Sequence, residues 1–130
     1  MKSPENDIAD RIEVWESLQM VWMDVDFEYE VELIARFCAN TKYSIVELKE
    51  IYWNEVMPAV SPNLQQLIPE WTGYNSEYLR VQVLKNHTFG RSIPDLTRKS
   101  SYSVTSWRLL EVRVLTIRAN NLTDCEIIIL

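Results

Sequence analysis

Carboxylates are the most plentiful reactive groups in this sequence, and Glu50, Glu55 and Glu70 are the ones whose settings invite a search for acid–base chemistry. A general base needs a second group converging on the same substrate atom. The one imidazole, His87, lies in Lys85-Asn86-His87-Thr88 at a predicted helix C-terminus, where a protonated ring simply complements the helix dipole. The chain has no Gly-rich phosphate loop and no Gly-x-Ser-x-Gly elbow. A single His without Cys-x-x-Cys or His-x-x-x-His spacing argues against a zinc site. Each carboxylate therefore reads first as part of a solvated helix face. Asn54, Glu55, Pro58 and Asn63 read as a polar cluster that ties helix ends together. No catalytic residue, metal ligand or cofactor is assigned, and the chain reads as a non-enzyme. A carboxylate-based enzyme with Glu55 or Glu70 as base is the alternative.

Charge distribution says more than charge inventory. The net charge is −6, yet residues 1–70 hold five Lys or Arg against fourteen Asp or Glu, and residues 71–130 hold eight against five. An acidic half attracts basic partners and repels nucleic acid and anionic membrane. The densest acidic run is Asp24, Asp26, Glu28, Glu30 and Glu32, and these are the candidate partner-binding residues. Asp7, Asp10, Glu13 and Glu16 extend it. Trp22, Phe27 and Tyr29 are interleaved with the acids and would anchor a partner if exposed, though each taken singly reads as core. Arg108, Arg113 and Arg118 recur at fives and do not share one face, so nucleic-acid binding is poorly supported.

The elements that must position these groups read as helices. The chain has 130 residues, 47% of them hydrophobic, and only two Gly, which favours helices with short connections over a sheet. The expected fold is all-α: one domain over residues 1–130, a bundle of about five helices with a short apolar C-terminal tail. Ser3-Pro4-Glu5 opens a first helix of about five turns, with Ile8, Ile12, Trp15, Leu18 and Trp22 as its apolar stripe. Residues 24–33 alternate acidic and apolar, as a half-buried strand does. Phe27, Val31, Ile34 and Cys38 also recur at helical spacing, so a helix from Phe27 to about Asn40 is predicted, with Asp26 as its cap.

Ser44-Ile45-Val46-Glu47 is a capping box with Tyr43 and Leu48 as its staple, and Pro58 sets the expected end of that helix near Met57. Ser61-Pro62 reads as the start of a short helix through Ile68, and Trp71-Thr72-Gly73 as a turn. Asn75 or Ser76 caps a helix ending near His87 and Gly90. Residues 91–101 form a loop. A last helix runs from about Ser103 to Ala119 and stops at Asn120-Asn121, leaving the tail 122–130 to tuck against the bundle or pair as a strand. Cys38 and Cys125 read as free buried thiols. No stretch reaches the roughly 20 apolar residues of a membrane span, and the polar, acidic start is unlike a secretory signal, so a cytoplasmic location is expected.

Tyr43-Ser44-x-x-Glu47-Leu48-x-x-Ile51, Asn54-Glu55-Val56-x-Pro58, Pro62-Asn63-Leu64 and Glu70-Trp71-x-Gly73-Tyr74 together carry a resemblance. They resemble a family of small, acidic, functionally uncharacterised bacterial proteins, and Val14-Trp15-Glu16, Leu18 and Ile34-Ala35-Arg36 look like it too. The likeness covers roughly residues 10–85 and implies no catalytic residues. In character the chain is also similar to immunity proteins of contact-dependent growth inhibition. That likeness implies a cytoplasmic inhibitor that binds one cognate basic toxin domain, typically a nuclease. The expected function is toxin neutralisation through an acidic surface, by a monomer or weak homodimer with no nucleic-acid or membrane partner. A regulatory or scaffolding module that dimerises through the apolar tail is a further alternative.

Overall fold

A computed structural model describes residues 1–23, 26–61, 63, 73–88 and 101–129, and every regular element among them is helical. Pro4–Asn6 form a short 3-10 turn that leads into α1, Ile8–Leu18, and a second 3-10 turn, Gln19–Trp22, continues it. The expected five-turn helix is thus three joined pieces. Its buried stripe is Arg11, Val14, Trp15, Leu18 and Trp22, whereas Ile8 and Ile12 are only half-buried.

α2, Phe27–Ala39, begins at Asp26, whose side chain accepts the Glu28 N–H at 3.1 Å. The ambiguous acidic segment is therefore helical from Phe27. Phe27, Ile34, Ala35 and Cys38 face the core. Period 3.6 then turns Tyr29 and Leu33 outward, where a strand would have buried them beside Phe27.

α3, Ile45–Ile51, starts on the expected capping box: Glu47 N–H donates to Ser44 Oγ at 3.1 Å, and Ser44 N–H to Glu47 Oε1 at 2.9 Å. The helix does not end near Met57. It widens into a π-turn, Tyr52–Val56, and continues as α4, Met57–Val60. Met57 N–H reaches back five residues to the Tyr52 carbonyl. That one-residue slip lets Pro58 enter as a first-turn residue, where its missing N–H costs nothing.

α5, Ser76–Thr88, is capped by Asn75, which accepts the Tyr78 N–H at 2.8 Å. Just before it, Gly73 has φ +94°, and a Cβ there would lie 3.0 Å from the Gln19 amide. That amide needs the space, because it clamps both the N–H and the carbonyl of Tyr74.

α6 spans Ser101–Ile129 as one helix. This corrects two expectations: Ser101 is already helical, and neither Asn120-Asn121 nor the β-branched tail interrupts the helix. Asn has only a mild helix penalty, and no Gly or Pro follows to enforce a stop. The expected helix over 62–68, Glu70, Asp24 and the 91–100 loop lie outside the described residues.

The core is aromatic. The Tyr52 ring sits 4.8 Å from Trp22 and 5.1 Å from both Trp53 and Trp107. Tyr52 donates its hydroxyl to the Ser103 carbonyl at 2.7 Å, and Trp22 donates its indole N–H to Ser103 Oγ at 3.1 Å. Both bonds fasten the π-turn and the 3-10 turn after α1 to the start of α6. α2 runs parallel to α6, with Phe27 beside Tyr102 at one end. At the other, Arg118 donates to the carbonyls of Cys38, Ala39 and Tyr43, tying the end of α2 and the chain ahead of α3 to α6. Cys38 is a buried free thiol whose pKa burial pushes up to about 12, which leaves it unreactive.

Replacing Ser44 with Ala removes one arm of the capping box. We expect a loss of about 1 kcal/mol, read as a lower urea midpoint at unchanged slope. An unshifted midpoint would show that the box is dispensable.

Candidate functional site

Two places on the molecule gather polar or unpaired groups. The first is a buried cluster around Arg11, whose side chain is fully buried. Arg11 Nη1 donates to Glu55 Oε2 at 2.7 Å, its Nη2 donates to the Lys2 carbonyl, and its Nε lies 3.4 Å from Asp7 Oδ2. Trp15 Nε1 donates to the other Glu55 oxygen at 2.8 Å. The π-turn aims Glu55 at α1; a residue there in regular α register would point elsewhere. Asp7 in turn accepts from Tyr43 Oη at 2.5 Å and Lys42 Nζ at 3.0 Å, and Lys42 also reaches Asp10 at 2.8 Å.

The two buried carboxylates respond oppositely. Burial pushes Glu55 above its usual pKa, and the bonds from Trp15 and Arg11 recover only part of that. Burial works in the same direction on Asp7, but bonds from Tyr43 and Lys42 outweigh it and hold the group below its usual value. Beside the cluster lies a cavity of about 420 Å³, walled by the N-terminal segment, Glu50, Asn54, Asn86 and His87. His87 Nε2 lies 3.5 Å from Glu5.

The cavity brings together three groups singled out on chemical grounds: Glu50, Glu55 and His87. Glu55 is not on a solvated face, since it is only 7% exposed. Both its oxygens already accept a hydrogen bond, one from Arg11 and one from Trp15, so its charge is committed to internal partners. Nor do Asn54, Glu55 and Asn63 form one cluster. Asn63 belongs to a separate network, donating to the Trp22 carbonyl at 3.0 Å and accepting from Tyr74 Oη at 3.1 Å. Among the described residues no group of His, Cys, Asp and Glu is placed to hold a metal.

The second place is the outward side of α2. Tyr29 is 77% exposed and Leu33 61%, and Phe37 continues the same ridge at i, i+4, i+8. Trp22 and Phe27 are core, as expected; Tyr29 is not. Glu28 and Glu32 fall on the flank toward α6, and Glu30 on the flank toward α1. Phe37 also lines a groove of about 390 Å³ with Asp10 and Glu13 of α1. Of the candidate partner-binding residues, Glu32 is taken up by Arg36 at 3.0 Å and Arg113 at 2.8 Å, and Asp26 caps the helix. No Lys or Arg among the described residues pairs with Glu28 or Glu30, nor with Glu13 or Glu16 on α1.

Residues 9–116 match a family described as a domain of unknown function, DUF7079. The chain belongs to this family. The matched span contains Arg11, Glu55 and all of α2, and stops before the end of α6. No curated protein and no solved structure matches the chain. Among the described residues, no helix is long and apolar enough to cross a membrane.

Sequence reasoning missed Arg11. The signal was present: a lone cation three and four residues before Val14 and Trp15 sits on the apolar stripe, where a charge requires a buried partner.

Two predictions follow from the cluster. Arg11→Met strands Glu55 and should cost about 3–5 kcal/mol, while Arg11→Met with Glu55→Met should recover most of that; additive losses in urea melts would contradict the pairing. Asp7 has a lowered pKa, so its contribution is present above its ordinary value of 3.8 and is lost as the pH falls through the native value. Asp7→Asn should therefore be destabilised most at neutral pH and lose less stability than the parent below about pH 4. Parallel stability–pH curves would refute the assignment.

Proposed function

We propose that this chain is an immunity-type inhibitor that acts in the cytoplasm by docking the outward side of α2 on a basic partner protein. One observation carries the reading: an exposed ridge of Tyr29, Leu33 and Phe37 lies between carboxylates that the described residues leave unneutralised. Aromatics supply binding energy once desolvated, and surrounding acids steer a positive partner into register. A nuclease toxin domain fits best, because an enzyme that grips phosphate must be positive where it does so. Within the acidic run, Glu28 and Glu30 with Asp26 are the steering groups; Glu32 holds α2 to α6.

Catalysis is the second reading, favoured by the cavity that gathers Glu50, Glu55 and His87. The engaged oxygens of Glu55 weigh against it. A regulatory or scaffolding module would use the same α2 surface with a different partner.

The toxin-like product of an adjacent gene is the partner to assay by surface plasmon resonance. Asp26→Lys, Glu28→Lys and Glu30→Lys together should slow association about 10–100-fold and flatten its salt dependence. Tyr29→Ala should instead speed dissociation, at a cost of about 2 kcal/mol. Unchanged kinetics in the triple variant would retire this surface.

A further inference from the structure

Among the described residues, the outward side of α6 is a second exposed apolar surface beside the α2 ridge. Winding at 100° per residue places Leu109, Val112 and Leu115 along its centre, and they are 45%, 60% and 47% exposed. Thr105 and Ala119 extend the line at either end. Arg108 is the charged residue on this side between Ser101 and Ala119, although a quarter of the whole sequence is charged. Glu111 and Arg113 sit on the flanks, and Arg113 is bound to Glu32. A helix with one apolar stripe buried in its own bundle and a second left in water is a helix with a partner.

We infer that this face pairs with α6 of a second copy of the chain, antiparallel about a two-fold axis at Val112. The spacing is self-complementary. Reversing the helix about Val112 sets Leu109 on the partner's Leu115, Thr105 on the partner's Ala119, and Val112 on itself. A two-fold interface requires this property of a single patch. Thr105 and Ala119 are small enough for the helices to approach closely where they cross the ends. Arg108 lies within the face, about 40° from Val112, where the reversal sets it beside the partner's Thr116; its stem covers apolar surface and its head reaches out to water.

Charge selects the same occupant. Two copies each carrying −6 repel one another, and α6 offers the approach with fewest like charges facing, while the acids of α1 and α2 remain in solvent. A basic partner would meet no carboxylate along the centre of this face. Size sets the strength. Pairing about Val112 overlaps residues 101–123, a stretch about 35 Å long and about 12 Å wide, so each copy covers about 400 Å² and the pair about 800 Å². That is below the roughly 1,000 Å² of a stable specific interface, so the pair is a weak one, and a dissociation constant on the order of 100 µM is expected.

Sedimentation velocity on the full chain from about 1 to 500 µM brackets that value. A concentration-dependent shift from monomer to dimer is expected, and Val112→Glu, which sets two carboxylates against each other on the axis, should remain monomeric while its circular dichroism and melting match the parent. In a Cys125→Ser background, Val112→Cys should form an interchain disulfide on mild oxidation at least several-fold faster than Tyr29→Cys, which is the more exposed position but lies on α2. A monomer throughout, as expected if this face receives another protein or a lipid, overturns the inference. So does a dimer that survives Val112→Glu, or crosslinking through Tyr29→Cys at the same rate.

Discussion

A guanidinium without any contact with water must have its charge opposed and its donors met inside the protein. Arg11 has its charge opposed by Glu55 and Asp7 and both Nη groups bonded, while its Nε, 3.4 Å from Asp7 Oδ2, makes no hydrogen bond, and this draws four stretches of chain to one point. The N-terminal segment contributes the Lys2 carbonyl, α1 the arginine itself, the π-turn Glu55, and Asp7 the link to Tyr43 and Lys42 ahead of α3. Hydrophobic packing among Trp15, Trp22, Tyr52 and Trp107 is non-directional and would tolerate small rotations of α1. The ion pair does not. With Arg11 pinned inward, Asp10, Glu13 and Glu16 have only the outside left to occupy.

The same constraint separates structure from function among the carboxylates. Asp7 and Glu55 are consumed by the interior, and Glu32 by the join between α2 and α6. What is left over, on α1 and α2, is a one-sided set of acids around an aromatic ridge. Burial makes the first group costly to change and chemically closed. Exposure makes the second cheap to change and open to partners. On the proposed reading, these exposed acids on the first two helices are the ones available to a partner.

The helix starts were legible because their signals are local. Asp26, Ser44 and Asn75 each satisfy a free N–H within three residues, and a sequence window of four contains the whole interaction. Helix ends were less so. Pro58 and Asn120-Asn121 looked like stops, yet the π-turn disarms the first and nothing enforces the second. The buried pair was hidden for a different reason: Arg11 and Glu55 are 44 residues apart, and only the π-turn makes them face each other. The acidic run showed where carboxylates concentrate, but which of them stay unpaired depends on Arg36 and Arg113, one of them 81 residues beyond Glu32.

Amide hydrogen exchange on the chain, free and with the proposed basic partner, separates an outward binding face from a catalytic cavity in one experiment. Slowed exchange confined to residues 27–37 and the outer side of α1, with residues 50–55 and 85–87 unchanged, is the result expected here. Protection around Glu50, Asn54 and His87 with α2 unaffected would place the working surface at the cavity and contradict it.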